Sequence, residues 1–175
     1  MNIFYLHKDP SIAAQAMTNK HIVKMILESA QLMSTAHRVL DGTPYIRLSK
    51  SGARLKRYHH PLPLYEATHI NHPSAVWVRE SARNYAWLYS HFIALNIEYG
   101  KRYDKVHKSY TDLHKLLQPL PVNIPNIPAT PVRLAITNKK WHREDPVASY
   151  RAYYIGEKLK EQDDINRFMS VIYGG

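Results

Sequence analysis

From residue 18 to residue 40 the chain reads TNKHIVKMILESAQLMSTAHRVL, and its apolar residues recur at helical spacing. Thr18 or Asn19 suits the N-cap and Gly42 stands just past the end, so the pattern predicts one long helix. At about 100° per residue, His21, Lys24, Glu28, Gln31 and Thr35 fall within an arc of roughly 80°. Nearly all the rest of the wheel is apolar or small: Ile22, Val23, Met25, Ile26, Leu27, Ala30, Leu32, Met33 and Ala36. Such a helix is expected to be buried. Its narrow polar stripe must then face partners, water or a ligand, because unpaired polar groups in a core are costly. The stripe is therefore the candidate site, with a purely structural network between helices as the alternative.

The remaining pattern is also mostly helical. Residues 2–6 (NIFYL) form a short apolar opening, strand or extended. Asp9-Pro10 reads as an N-cap and first helical position, starting a short helix to about Met17. Residues 41–66 read as irregular and basic. Pro73 opens a helix to about Tyr99 with Gly100 as its stop, and Trp77, Leu88 and Phe92 face inward. Tyr103, Val106, Tyr110, Leu113 and Leu117 give a further amphipathic helix over 103–117. Residues 118–144 carry Pro119, Pro121, Pro125, Pro128 and Pro131, too many for a helix or a central strand. Asp145-Pro146 opens the last clear helix, VASYRAYYIGEKLKEQ, and 162–175 is read as a C-terminal tail. The expectation is an all-α, compact single-domain helical bundle over residues 1–175. Its irregular parts are a short N-terminal extended piece and the proline-rich wrapping segment 118–144.

Charge narrows the partner. The 175 residues hold 24 Lys and Arg against 14 Asp and Glu, a net +10, with 11 His and 13 Tyr. Such an excess is the usual footprint of a polyanion, most often nucleic acid. The irregular stretch carries Arg47, Lys50, Arg54, Lys56 and Arg57 ahead of Tyr58, His59 and His60, which suits a solvated loop or a phosphate-contacting one. Tyr150, Tyr153 and Tyr154 beside Arg151 and Lys158 suggest an aromatic and basic surface for the same partner. With no cysteine there is neither a disulfide framework nor a thiolate zinc site. No stretch nears the roughly 20 apolar residues of a membrane helix, and MNIFYLHKDP is no signal peptide, so the cytoplasm is the expected compartment.

The chemistry expected on the stripe centres on Lys24 and Glu28, one turn apart. A carboxylate beside a partly desolvated amine is either its ion-pair partner or a general acid/base next to a nucleophile. A lysine with a lowered pKa can attack a sugar carbon and form a Schiff base, and His21 can shuttle a proton. Gln31 completes the stripe as a substrate contact. His69, Asn71 and His72 sit just ahead of a helix start, where N–H groups and the dipole favour an anion. Arg79 and Arg83, one turn apart, suit two phosphates or a carboxylate. HxxH lacks a third ligand at a recognised spacing, so no metal is expected, and no cofactor motif is present.

In order and texture the chain resembles the small phage-type pyrimidine-dimer DNA glycosylases. The matching parts are an N-terminal extended piece, a helix carrying a glutamate, the His-Pro turn THINHP, an aromatic and arginine-rich helix, the exit YGKRYD and the closing SYRAYY. The blocks KHIVKMILESAQ and NHPSAVWVRE are also similar to those of small bacteriophage proteins. The glycosylase resemblance implies an enzyme that binds and bends duplex DNA and flips a nucleotide from the stack. It also implies an N-terminal α-amine as nucleophile, with Glu28 in the position of the assisting glutamate. The chain departs from the family at its start, where Asn2 is large enough to leave Met1 in place. Either the Met1 amine serves, or Lys24 has taken over, or the activity differs. The proline-rich stretch lengthens the chain beyond the family's usual size.

The expected function is a DNA-processing enzyme, glycosylase/lyase-like, acting on a flipped base or its sugar. The alternatives are a base-modifying transferase acting on DNA thymine or a tRNA base, and a nucleic-acid-binding protein without chemistry.

Overall fold

The long periodic stretch folds as helix α2, Asn19–Asp41, and the Thr18 side chain caps it by accepting the His21 N–H. In the computed structural model, which describes residues 1–174, the chain is mostly helical. Helix α1 is Pro10–Gln15, capped by Asp9. After α2 come α3 (Pro73–Glu80), α4 (Ala82–Tyr103), α5 (Lys108–Leu117), α6 (Pro146–Tyr153) and α7 (Gln162–Tyr173). Helix α2 runs through the middle, packed against α3, α4 and α5, while α1 packs against α4 and α7. Ile22, Ile26, Leu32 and Met33 of α2 meet Tyr85, Leu88 and Phe92 of α4 in the core. One side of α2 is wetter than its composition suggested, since Val23 and Leu27 are exposed.

Several elements differ from the sequence expectation. The basic stretch after α2 is an antiparallel hairpin, β1 (Thr43–Leu48) with β2 (Arg54–His59), so the fold is not strictly all-α. Its turn uses Gly52 at φ +80°, a conformation glycine adopts without penalty. The interspersed charges had hidden the strands, since all of β1 and half of β2 are exposed to solvent. A lone two-stranded hairpin is marginal in water, and buried Arg38 anchors this one. Its guanidinium donates to the carbonyls of Tyr58, Leu64 and Tyr65 at 2.6, 2.8 and 2.7 Å.

The helix expected from Pro73 breaks at Ser81, whose backbone is extended and whose hydroxyl accepts the Arg83 and Asn84 N–H groups as the cap of α4. Helix α4 then passes through Gly100 and stops at Asp104, which is left-handed at φ 52°. A mid-helix glycine costs about 1 kcal/mol, and the turn around it is held by Glu98, which pairs with Lys101 and Arg102.

Helix α6 ends at Tyr153, earlier than expected, in a π-type turn over Tyr154–Lys158. The Trp141 indole packs against Gly156 there, and a Cβ at that glycine would collide with the ring. The segment read as a tail is α7, with its last residue, Gly175, outside the described residues. Ile165, Phe168 and Ile172 give α7 its inward stripe, and Phe168 is fully buried. The proline-rich segment is tied down by side chains. Asp41 accepts the Val122 and Asn123 N–H groups, Trp77 donates to the Thr130 carbonyl, and Glu80 pairs with Arg133. Among the described residues, no helix is long and apolar enough to cross a membrane.

Two buried histidines, His37 and His91, and half-buried His21 are bonded into this body. His21 meets the Tyr154 hydroxyl at 2.7 Å, His37 the Tyr85 hydroxyl at 2.8 Å and His91 the Pro10 carbonyl at 2.9 Å. Burial is the first cause that holds each ring neutral, with pKa lowered from 6.5 to about 4. The unfolded chain therefore takes up these protons first as pH falls. Their contribution to stability is complete above about pH 6.5 and is lost as pH drops toward about 4, at up to roughly 1.4 kcal/mol per pH unit for each ring. Urea unfolding at about pH 7.5 and about pH 5 should show a clear loss of stability at the lower value.

Candidate functional site

Two stretches of chain lie along the polar stripe of α2. Over its N-terminal half comes the segment after Met1. The His21 ring stacks on Phe4 with centroids 4.4 Å apart, and Glu28 Oε2 accepts the Asn2 N–H at 2.8 Å. Glu28 Oε1 faces Lys24 Nζ at 3.2 Å; the carboxylate is buried while the ammonium stays exposed. Further along, Thr35 Oγ1 accepts the Thr68 N–H at 3.2 Å and so fixes the turn that follows. Gln31, half-buried, stands between these two attachments on the same face.

Both covering segments contain a residue in the left-handed region, Phe4 at φ 51° and His69 at φ 47°. For such side chains this costs on the order of 1–3 kcal/mol and persists only where the surroundings impose it. Asn2 Oδ1 imposes it at Phe4 by accepting the Ile3 and Phe4 N–H groups. At His69 the ring contacts Thr68 Oγ1 at 2.7 Å, and its carbonyl accepts the His72 N–H at 2.8 Å.

His72 caps α3, its Nδ1 accepting the Ser74 N–H at 3.2 Å. The neutral ring then carries its proton on Nε2, which makes that atom a hydrogen-bond donor. Burial lowers the His72 pKa most, followed by the positive charges of the Met1 α-amine and His69, while Glu28 opposes them. The Met1 amine, Glu28 and His72 thus share one electrostatic neighbourhood. His72 also divides two open clefts. One, of about 520 Å³, is lined by Lys56 and Arg57 of the hairpin and by residues 67–72, including exposed Asn71. The other, of about 340 Å³, runs along Pro73 and residues 134–137, where Asn2 donates to the Ala135 carbonyl at 3.0 Å. A carboxylate, two amines and a neutral imidazole beside a basic cleft can hold an anionic chain and move a proton at its edge.

The other expected site residues are dispersed. His21 lies in a third cleft of about 440 Å³ with Lys20, Lys158 and Lys160, and Lys24 lines that cleft too. Arg79 braces the 69–72 turn from behind, donating to the Ile70 and Ala75 carbonyls at 2.7 and 3.0 Å. Exposed Arg83 is not its partner one turn along, because the break at Ser81 sets the two on different helices. Lys50 and Arg54 are exposed at the far end of the hairpin, and Lys56 and Arg57 reach the cleft. Arg151 is half-buried, its Nε donating to the Leu6 carbonyl at 2.8 Å.

Tyr150 and Tyr154 correct the expectation of an aromatic nucleic-acid surface, since both are fully buried. Tyr150 accepts the Ala135 N–H, and burial pushes its hydroxyl up to about 12. Tyr154 accepts the Thr18 N–H at 2.9 Å, and burial raises it as well. The aromatic side of α6 is its core side. Sequence reading missed Asn2 and Thr68, the two residues that lay the covering segments on α2. Their only local signal is the turn-forming habit of Asn and Thr. Comparison with known proteins finds no matching family model, no matching curated protein and no matching solved structure.

Glu28→Ala should release the N-terminal segment. The Asn2 amide loses a charge-assisted bond of about 1.5 kcal/mol or more, so its hydrogen exchange should quicken by roughly tenfold. Amide exchange followed by NMR at Asn2 reads this directly, and an unchanged rate refutes the attachment.

Proposed function

We propose that this protein is a DNA-processing enzyme of the glycosylase/lyase kind, acting on the sugar of a nucleotide turned out of duplex DNA. The observation that carries the reading is the buried Glu28 carboxylate, held between the Asn2 N–H and Lys24 and near the Met1 amine and His72. The +10 charge and the exposed hairpin bearing Arg47, Lys50, Arg54, Lys56 and Arg57 supply the grip on the phosphate backbone. The cytoplasm is the expected setting.

In this reading the amine of Met1 or Lys24, after giving up a proton to water, bonds C1′ of the extruded nucleotide. The glycosidic bond breaks with its electron pair leaving on the base, which takes a proton from water. Glu28 carries a proton from the new C–N nitrogen to the ring oxygen O4′ as the sugar opens to the iminium. His72 Nε2–H donates a hydrogen bond to the base or the sugar, and Lys56 and Arg57 hold flanking phosphates. The Lys24–Glu28 pair equally suits a binding protein without chemistry, in which Glu28 serves only to seat the N-terminal segment.

Borohydride reduces an iminium to a stable amine and so separates the two readings. On duplex DNA carrying damaged or abasic nucleotides, the proposal expects a covalent adduct, lost in Glu28→Gln while DNA affinity stays within a few-fold. Lys24→Ala abolishes the adduct if Lys24 is the nucleophile, and residues added ahead of Met1 abolish it if the α-amine is. DNA binding with no adduct on any such duplex leaves the binding protein.

A second expectation concerns salt. With five hairpin cations on phosphates, affinity should fall roughly 10²–10³-fold from about 50 to about 200 mM salt. A flat response in a filter-binding titration removes nucleic acid from the reading.

A further inference from the structure

At the opposite end of α2 three side chains with metal-binding atoms converge. His37 and Asp41 are one turn apart on the helix, and His60 follows directly after β2. One ligand atom from each lies within 4.8 Å of the others. The two imidazoles meet edge to face, with centroids 5.9 Å apart.

The hydrogen bonds around the group leave it suited to a cation. The Tyr85 hydroxyl donates its proton to the Leu117 carbonyl at 2.8 Å, so its oxygen is left to accept from His37 Nε2–H. That bond places the His37 proton on Nε2 and the lone pair on Nδ1, as an outer partner does for a metal-binding histidine, with the Pro119 carbonyl also close to the ring. Asp41 accepts three bonds from Val122 and Asn123. A carboxylate has about four lone-pair sites, so it retains capacity for an ion, and ligating carboxylates are commonly hydrogen-bonded in this way. His60 is lightly held, its Nδ1 taking only a 3.2 Å bond from the Leu62 N–H. Arg38, whose charge His60 feels, is itself engaged by three carbonyls and by Glu66.

Two imidazoles and one carboxylate without a thiolate match a borderline divalent cation, Zn²⁺ above all. Bonds of about 2.0–2.1 Å bring tetrahedral donor atoms to roughly 3.3 Å from one another. The group must therefore tighten, and half-exposed His60 at the end of an exposed hairpin is the part free to move. We propose that His37, Asp41 and His60 form a Zn²⁺ site, completed by water, that locks the base of the basic hairpin onto α2. The site is separate from the Glu28 neighbourhood and does not depend on any reading of its chemistry.

The test is calorimetric titration of the chelator-treated full chain with zinc chloride alone, with thermal melts alongside. One Zn²⁺ per chain and a raised melting temperature are expected. His60→Ala and Asp41→Asn should each weaken binding at least about tenfold, and His59→Ala, at the exposed neighbouring histidine, should leave it unchanged. Co²⁺ in place of Zn²⁺ should give visible d–d absorption that His60→Gln removes while circular dichroism stays native. Absence of Zn²⁺ binding, or binding that survives His60→Ala and Asp41→Asn undiminished, overturns the proposal.

Discussion

Leaving a polar atom on a buried helix unpaired is costly, and pairing most of those on α2 organises the chain around it; the Ser34 hydroxyl is the exception among its described side chains. Thr18 and His21 take the Tyr154 hydroxyl, Glu28 takes the Asn2 amide, Thr35 takes Thr68, His37 takes Tyr85, and Arg38 takes one carbonyl of the hairpin and two beyond it. Asp41 then caps the turn at Val122 and Asn123. Each bond is worth only about 1 kcal/mol net, but leaving its buried group unpaired costs more. Satisfaction of α2 therefore dictates where the N-terminal segment, the hairpin, the 67–72 turn and the start of the proline-rich wrap come to rest.

The same requirement shapes the candidate site. The segments drawn onto the stripe by Asn2 and Thr68 each carry a strained residue, Phe4 and His69, and strain of this kind gathers where geometry serves more than stability. Between them lies the buried Glu28 carboxylate, paired with Lys24, while His72 feels the charges of Glu28 and the Met1 amine and lines the cleft that Lys56 and Arg57 reach. Strain, burial and unlike charges meet at this one point of the stripe, while the opposite end of α2 gathers histidines and an aspartate instead.

Much of the helical architecture was legible in the sequence. The caps Asp9, Thr18, His72 before Pro73, and Asp145 mark helix starts by local chemistry that does not depend on the rest of the chain. The elements that escaped were those decided by competition. The hairpin was masked by its basic residues, which prefer water whatever backbone they sit on. The break at Ser81 was hidden because α3 and α4 both continue a helical apolar pattern, and only the Ser81 cap and the packing of the wrap on Ala82 interrupt it. Helix α7 was read as a tail although Ile165, Phe168 and Ile172 keep helical spacing, because a short amphipathic segment acquires its meaning from the surface it covers.

By itself the sequence determined the long central helix, its polar stripe, the pairing of Lys24 with Glu28 one turn apart, the proline-rich wrap and the strong positive charge. These follow from spacing and composition, which act over a few residues. Tertiary structure alone decided that Asn2 reaches Glu28 across 26 residues, that His72 joins that neighbourhood, that Tyr150 and Tyr154 point inward, and that His60 returns to His37 and Asp41. Those are long-range choices, settled by which folded arrangement pairs most of the buried polar groups together.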